Sequence, residues 1–141
     1  MKRATKLALG GLVAAGLLGA GVVPYMDRVV NPGVERELRE RPDGERARKV
    51  MLLTLPSGRT IPVNYLREGD TVYAGCDGRW WRELRGEGAR VELLVRGEAR
   101  VGQARAVEDD PARRAAVFDR LRPTAPKLFG TLIQIELTSE K

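Results

Sequence analysis

The chain has 141 residues, 43% hydrophobic, 31% charged and 5% aromatic, with no His and one Cys, so it holds one domain of ordinary size. Without His there is no base for a Ser-His-Asp or Cys-His triad and no His-bearing zinc site, and one Cys excludes an internal disulfide or a paired-Cys metal or redox motif. The formal net charge is +6, yet Lys2, Arg3 and Lys6 supply three of those charges and much of the remaining Arg alternates with Glu, as in Glu35-Arg36-Glu37-Leu38-Arg39-Glu40, a pattern of solvated helix faces that argues against nucleic-acid binding.

Leu7 to Val23 carries no charge and no strongly polar residue. As a helix it spans about 25 Å, slightly less than a bilayer core of about 30 Å. With the basic residues ahead of it, the segment reads as an uncleaved single-pass anchor in the cell membrane. A signal peptide cleaved after Gly21 is the other reading, opposed by Pro24 and the lack of an Ala-x-Ala site. Gly11, Ala15 and Gly19 share one helix face, a spacing that lets two helices approach, although a Gly/Ala-rich segment without a partner is the plainer reading. Basic residues flank both ends, so orientation stays open.

The organisation expected is therefore an anchor over 1–24, a helix and linker over 25–48, and a barrel over 49–141. Asn31-Pro32 starts a helix that runs to about Arg41 and ends at Pro42-Asp43-Gly44. Strands are expected at Lys49–Leu55, Thr60–Leu66 and Thr71–Cys76, separated by Pro56-Ser57-Gly58 and Glu68-Gly69-Asp70. Ala89–Arg96 and Ala99–Val107 form a second hairpin around Gly97-Glu98. Between the hairpins lies Arg79-Trp80-Trp81-Arg82-Glu83-Leu84, too short and polar for a core helix. Asp110-Pro111 caps a helix to about Leu121, with Ala115, Ala116, Phe118 and Leu121 available to face inward. Gly130–Thr138 is the last strand. Six short antiparallel strands with two or three short helices favour a mainly β, α+β fold: a closed or nearly closed six-stranded barrel that leaves no strand edge exposed.

Several blocks resemble one family in order. Arg28-Val29-Val30-Asn31-Pro32, Val50-Met51-Leu52-Leu53-Thr54, Arg59-Thr60-Ile61-Pro62-Val63-Asn64-Tyr65, Arg67-Glu68-Gly69-Asp70 and Trp80-Trp81-Arg82-Glu83-Leu84 are similar to successive blocks of the deazaflavin-dependent nitroreductases. That family lies within the flavin-binding split-barrel, pyridoxamine-phosphate-oxidase-like superfamily. The resemblance implies a monomer or homodimer that binds coenzyme F-420 or, alternatively, FMN, and passes a hydride to a quinone or nitroaromatic acceptor. Such chemistry resides in the cofactor, which suits a chain without His. It also implies that Arg59, Thr60, Ile61, Pro62, Arg79, Trp80, Trp81 and Arg82 contact the cofactor, and that Tyr65 and Trp81 face the substrate. The family's longer basic, Gly-rich stretch after the first strand is reduced here to Ser57-Gly58-Arg59, and its loop before the aromatic pair to Cys76-Asp77-Gly78. Two rivals therefore stand beside the enzyme: a split barrel that binds a ligand without turnover, and a ligand-free anchored interaction domain.

The same residues read bottom-up allow humbler roles. Arg59 can clamp a phosphate or simply sit on an exposed turn. Thr60 and Pro62 can offer backbone groups to a ring or belong to an edge strand. Tyr65 can fill the core with its hydroxyl at the rim. Adjacent Trp80 and Trp81 point to different faces, so one packs inward while the other lines a pocket between Arg79 and Arg82. Cys76 reads as a small buried residue, with no Lys or His⁺ placed in sequence to lower its pKa.

Overall fold

The computed structural model describes residues 31–123 and 130–138. The chain divides into two compact units, Met1–Val34 and Glu35–Lys141. Of the first, only the start of helix α1 (Asn31–Glu40) is described. Among the described residues no helix is long and apolar enough to cross a membrane; the expected anchor, Leu7–Val23, lies outside them.

The second unit is a closed antiparallel barrel in the order β1-β2-β3-β6-β5-β4. Its strands are β1 (Val50–Thr54), β2 (Thr60–Glu68), β3 (Thr71–Cys76), β4 (Ala89–Val95), β5 (Glu98–Val107) and β6 (Thr131–Leu137). Helix α2 (Pro111–Leu121) joins β5 to β6, and two 3-10 turns, Arg46–Arg48 and Trp80–Leu84, precede β1 and β4. Alternation decides which side chains enter: Met51 and Leu53, Val72 and Ala74, Val91 and Leu93, Ile133 and Ile135 all point into one buried cluster. Gly102 faces the same interior, where a Cβ would stand 2.7 Å from Ile135 Cγ2 and 2.9 Å from the Glu136 carbonyl. Ile135 therefore fills the space beside it.

A second cluster lies outside the sheet. Val117 and Phe118 of α2 are buried there with Val107 and Leu132, and Leu66, Tyr73 and Leu121 pack around them. The Asp110 carboxylate accepts from the Arg113 backbone N–H at 3.0 Å, with Pro111 in the first turn, so the expected cap is in place. The buried face of α2 differs from the expected one. Ala115 and Ala116 are exposed. The inward stripe is instead Arg114, Val117, Phe118 and Leu121, the i, i+3, i+4, i+7 pattern of a helix against a surface. Arg114 joins it by laying its guanidinium 4.7 Å from the Phe118 ring centre and donating to the Gly130 carbonyl.

Two details bear on the sites. The β2–β3 ladder takes in only Tyr65–Glu68, whereas β1 pairs with Thr60–Asn64, so the first half of β2 is paired on one side. Pro62, which has no N–H to give, stands in that half, opposite Leu52. The β4–β5 hairpin turns on Arg96-Gly97 rather than Gly97-Glu98, because Val95 pairs with Glu98. Both turn residues have positive φ, 51° and 81°, the geometry of a two-residue hairpin whose twist matches its strands.

Candidate functional site

The β1–β2 turn and the Trp80–Leu84 turn meet at one end of the barrel. What joins them is Glu83, whose carboxylate accepts from the Ser57 backbone N–H at 2.9 Å and from the Ser57 hydroxyl at 3.3 Å. The β1–β2 turn is itself closed by the Gly58 N–H donating to Leu55 O and the Leu55 N–H donating to Arg59 O. Ser57, Arg59 and the Trp80–Leu84 segment thus form one rigid rim. No local sequence signal announces Glu83, because its partner lies 26 residues away.

Leu84 is fully buried and anchors this segment; Trp80 and Trp81 are half-buried, and both pack against the barrel core. Trp81 is also flanked by two guanidiniums, Arg82 at 5.8 Å and Arg85 at 5.2 Å from its ring centre. Arg85, absent from the sequence-derived set, leaves the 3-10 turn in extended conformation just after Leu84. It is also paired with Glu108 at 3.5 Å. Arg59 and Arg79 are exposed at the same end.

The other predicted residues are placed as follows. The Thr60 hydroxyl shares a 2.8 Å hydrogen bond with that of Thr54 across the β1–β2 pair. Ile61 points into the barrel and is 5% exposed, so only its backbone faces a ligand. Pro62 is on the outer face. Tyr65 is not brought to this group: five residues further along β2, it lies about 17 Å away from Thr60. Its ring packs on the core and its hydroxyl donates to the Ala47 carbonyl at 2.9 Å. Burial raises its pKa, against the lowering pull of the Arg96 and Arg67 guanidiniums.

Cys76 closes β3 beneath Trp80 and Trp81. Its thiol is 1% exposed and donates to the Gly78 carbonyl at 3.5 Å. Burial, aided by Asp77 and opposed by backbone hydrogen bonds from Trp81, Gly78 and Trp80, pushes its pKa up to about 11. The thiolate is scarce at neutral pH, so this is no nucleophile.

No family model and no curated protein matches the chain. Solved structures do. A candidate pyridoxamine 5'-phosphate oxidase from Listeria innocua aligns at 14% identity with a TM-score of 0.51, over 75% of this chain and 94% of that one. The chain has a pyridoxamine-oxidase-like split-barrel fold. HutZ, a heme storage protein of Vibrio cholerae, aligns at 15% identity and TM-score 0.45 over 75% of this chain and 91% of its own. General stress protein 26 of Bacillus anthracis does so at 17% and 0.44, over 74% and 88%. What the Listeria structure shares is the architecture, the barrel that carries the Ser57–Arg59 turn and the Trp80–Leu84 turn on one rim.

Proposed function

We propose that the chain is an oxidoreductase that holds a flavin-type ring, reduced F-420 or FMN, on the rim built by Ser57–Pro62 and Trp80–Arg85. The observation that carries this reading is the Glu83 tether, which places Arg59 and the cation-flanked Trp81 on one surface. The donor set fits such a group. Arg59, Arg79 and Arg82 suit its phosphate, the Trp81 indole suits the edge of an aromatic ring, and the half of β2 outside the β3 ladder leaves backbone groups to orient it. When bound, the ring supplies the hydride chemistry; the chain's own residues bind, orient and shield it. The acceptor in this reading is a quinone or nitroaromatic.

Anchorage through Leu7–Val23 belongs to the same proposal, since a quinone is dissolved in the bilayer. So does a homodimer: on the outer face Pro62, Leu94 and Ala99 stand in register with the buried Leu52 across four strands. Leu52, Leu94 and Ala99 line a groove of about 330 Å³ together with Val101, Arg39, Glu92 and Arg100.

Titrating the full-length protein with FMN and, separately, with F-420 tests the reading through tryptophan emission. Saturable quenching by one of them, lost in Arg59→Ala or Trp81→Ala, is expected. No quenching by either, from folded protein, overturns it. A second reading, a carrier without turnover, is favoured by the brevity of Ser57-Gly58-Arg59 and Cys76-Asp77-Gly78. Reduction of menadione by the protein with reduced cofactor separates the two, because a carrier gives quenching and no turnover.

A further inference from the structure

The end of the barrel opposite Trp81 carries a second group of cations. Two adjoining cavities, of about 470 and 280 Å³, share Arg48 and Tyr65. Arg67, Arg96 and Glu98 line the first, Lys49 and Arg120 the second. Five cations stand there against two carboxylates, Glu98 in the lining and Glu68 beside Arg120. Beyond Lys6 the whole sequence carries a net charge of only +3, so outside this groove that stretch is close to neutral.

Two of the five cations are paired and three, among the described residues, are not. Arg67 approaches Glu98 at 3.9 Å and Arg120 pairs with Glu68. Among the described residues, Arg48, Lys49 and Arg96 make no ion pair and no side-chain hydrogen bond. The turn adds an independent observation. Arg96 holds φ 51° at a position where Gly or Asn is favoured and a long side chain costs stability. Arg96 lines the first cavity together with Arg67 and Tyr65, and both guanidiniums pull the Tyr65 pKa down against its burial.

The geometry points to a second, anion-binding site at this end, which takes a phosphate group carried by a free phosphorylated molecule or by a lipid headgroup. A tetrahedral dianion accepts from several donors in different directions, as guanidiniums from a 3-10 turn (Arg48), a strand (Arg67), a hairpin turn (Arg96) and a helix (Arg120) present them, whereas a carboxylate is satisfied by one fork. A nucleic-acid strand fits less well, because the Tyr65 ring packs against the core and leaves no platform for base stacking. This site stands whether or not a cofactor binds at Trp81.

The test uses the full-length protein in detergent micelles, read by the NMR resonances of the Arg48 and Arg96 guanidinium N–H groups. One arm adds inorganic pyrophosphate; the other replaces detergent with micelles containing phosphatidic acid or, as control, phosphatidylcholine. Saturable shifts are expected. Arg48→Gln and Arg96→Asn should each weaken binding by about tenfold, the equivalent of one charge-assisted hydrogen bond. Arg90→Gln, on an exposed outer position of β4, should leave it unchanged. Arg96→Asn should also raise Tm by about 2–5 °C, because Asn accepts the turn's backbone; gain of stability with loss of binding separates a ligand role from a structural one. Saturation by pyrophosphate in lipid-free detergent assigns the site to free phosphates, and saturation by phosphatidic acid alone assigns it to headgroups. No saturable shift in either arm, or equal weakening by Arg90→Gln, overturns the proposal.

Discussion

Phe118→Ala tests whether the two hydrophobic clusters are one cooperative structure. Phe118 is fully buried between α2 and the outer faces of the barrel strands, with Val107, Val117 and Leu132. Removing a buried Phe side chain costs about 3–5 kcal/mol when the surroundings collapse only in part. Two guanidiniums also lose their ring, Arg114 at 4.7 Å and Arg122 at 5.1 Å, each contact worth about 0.5–1 kcal/mol near the surface. Both keep their other partners, Gly130 O and the Asp77 carboxylate, so the loss should be about 4–7 kcal/mol. Against a total stability of about 5–15 kcal/mol that is a large fraction. Urea unfolding read by tryptophan emission and by far-ultraviolet circular dichroism checks it. Trp80 and Trp81 belong to the inner cluster, yet Val107 and Leu132 sit on strands whose alternate residues fill that cluster, so both probes should shift together. A cost below about 2 kcal/mol, or an unmoved tryptophan transition beside a shifted dichroism transition, would refute a shared core.

Other outcomes follow from single sites. Glu83→Ala, which frees the Ser57 turn, should weaken FMN or F-420 binding about three- to tenfold at little cost in stability, while Glu83→Gln, still an acceptor, should keep most of it; tryptophan quenching reads both. Cys76 should resist alkylation in the native protein at pH 8 and react on unfolding, as iodoacetamide labelling would show. Its folded pKa of about 11 exceeds the ordinary 9.0, so its contribution to stability is complete below pH 9 and is lost as pH rises toward 11. Denaturant midpoints that rise across that window would contradict the assignment. Gly88→Ala should destabilise strongly in the same urea assay, because its Cβ would collide with the Ala104 carbonyl at a backbone φ of +80°.

How much of this was legible in the sequence depends on whether the signal is local. Thr71–Cys76 is recovered to the residue, and the other strands within one or two, because Gly, Asp and Pro punctuate short apolar runs. The Asp110 cap likewise needs only its own neighbours. Where side chains compete for a surface, local reading falls short. Small apolar residues suggest one face for α2, yet helical period and the stacking of Arg114 on Phe118 decide another. The hairpin turn lies one residue earlier than Gly97-Glu98 suggests, because Arg96 takes a positive φ uncommon for Arg. Arg59, Trp80, Trp81 and Arg82 are indeed gathered at one end, but the residue that gathers them, Glu83, acts through a partner distant in sequence.

Tyr65 shows why strand sequence alone misleads about sites. Arg59 to Tyr65 reads as one block, and a block invites one role. A strand, however, is a ruler: each residue advances about 3.3 Å and reverses side, so its ends serve opposite mouths of a barrel. Arg59 belongs to the mouth closed by Trp81. Tyr65 belongs to the mouth lined by Arg48, Arg67 and Arg96, and its side chain, pointing inward, joins neither the outer face of Pro62 nor the rim at Trp81. A ligand that touches both Trp81 and Tyr65 would have to pass through the packed interior of Met51, Leu53 and Val72, all of them fully buried. The residues that resemble a single cofactor motif are therefore divided between two surfaces, and Tyr65→Phe should leave flavin or F-420 quenching of Trp81 unchanged. Should that substitution abolish the quenching, the division of the barrel into two independent ends would fall with it.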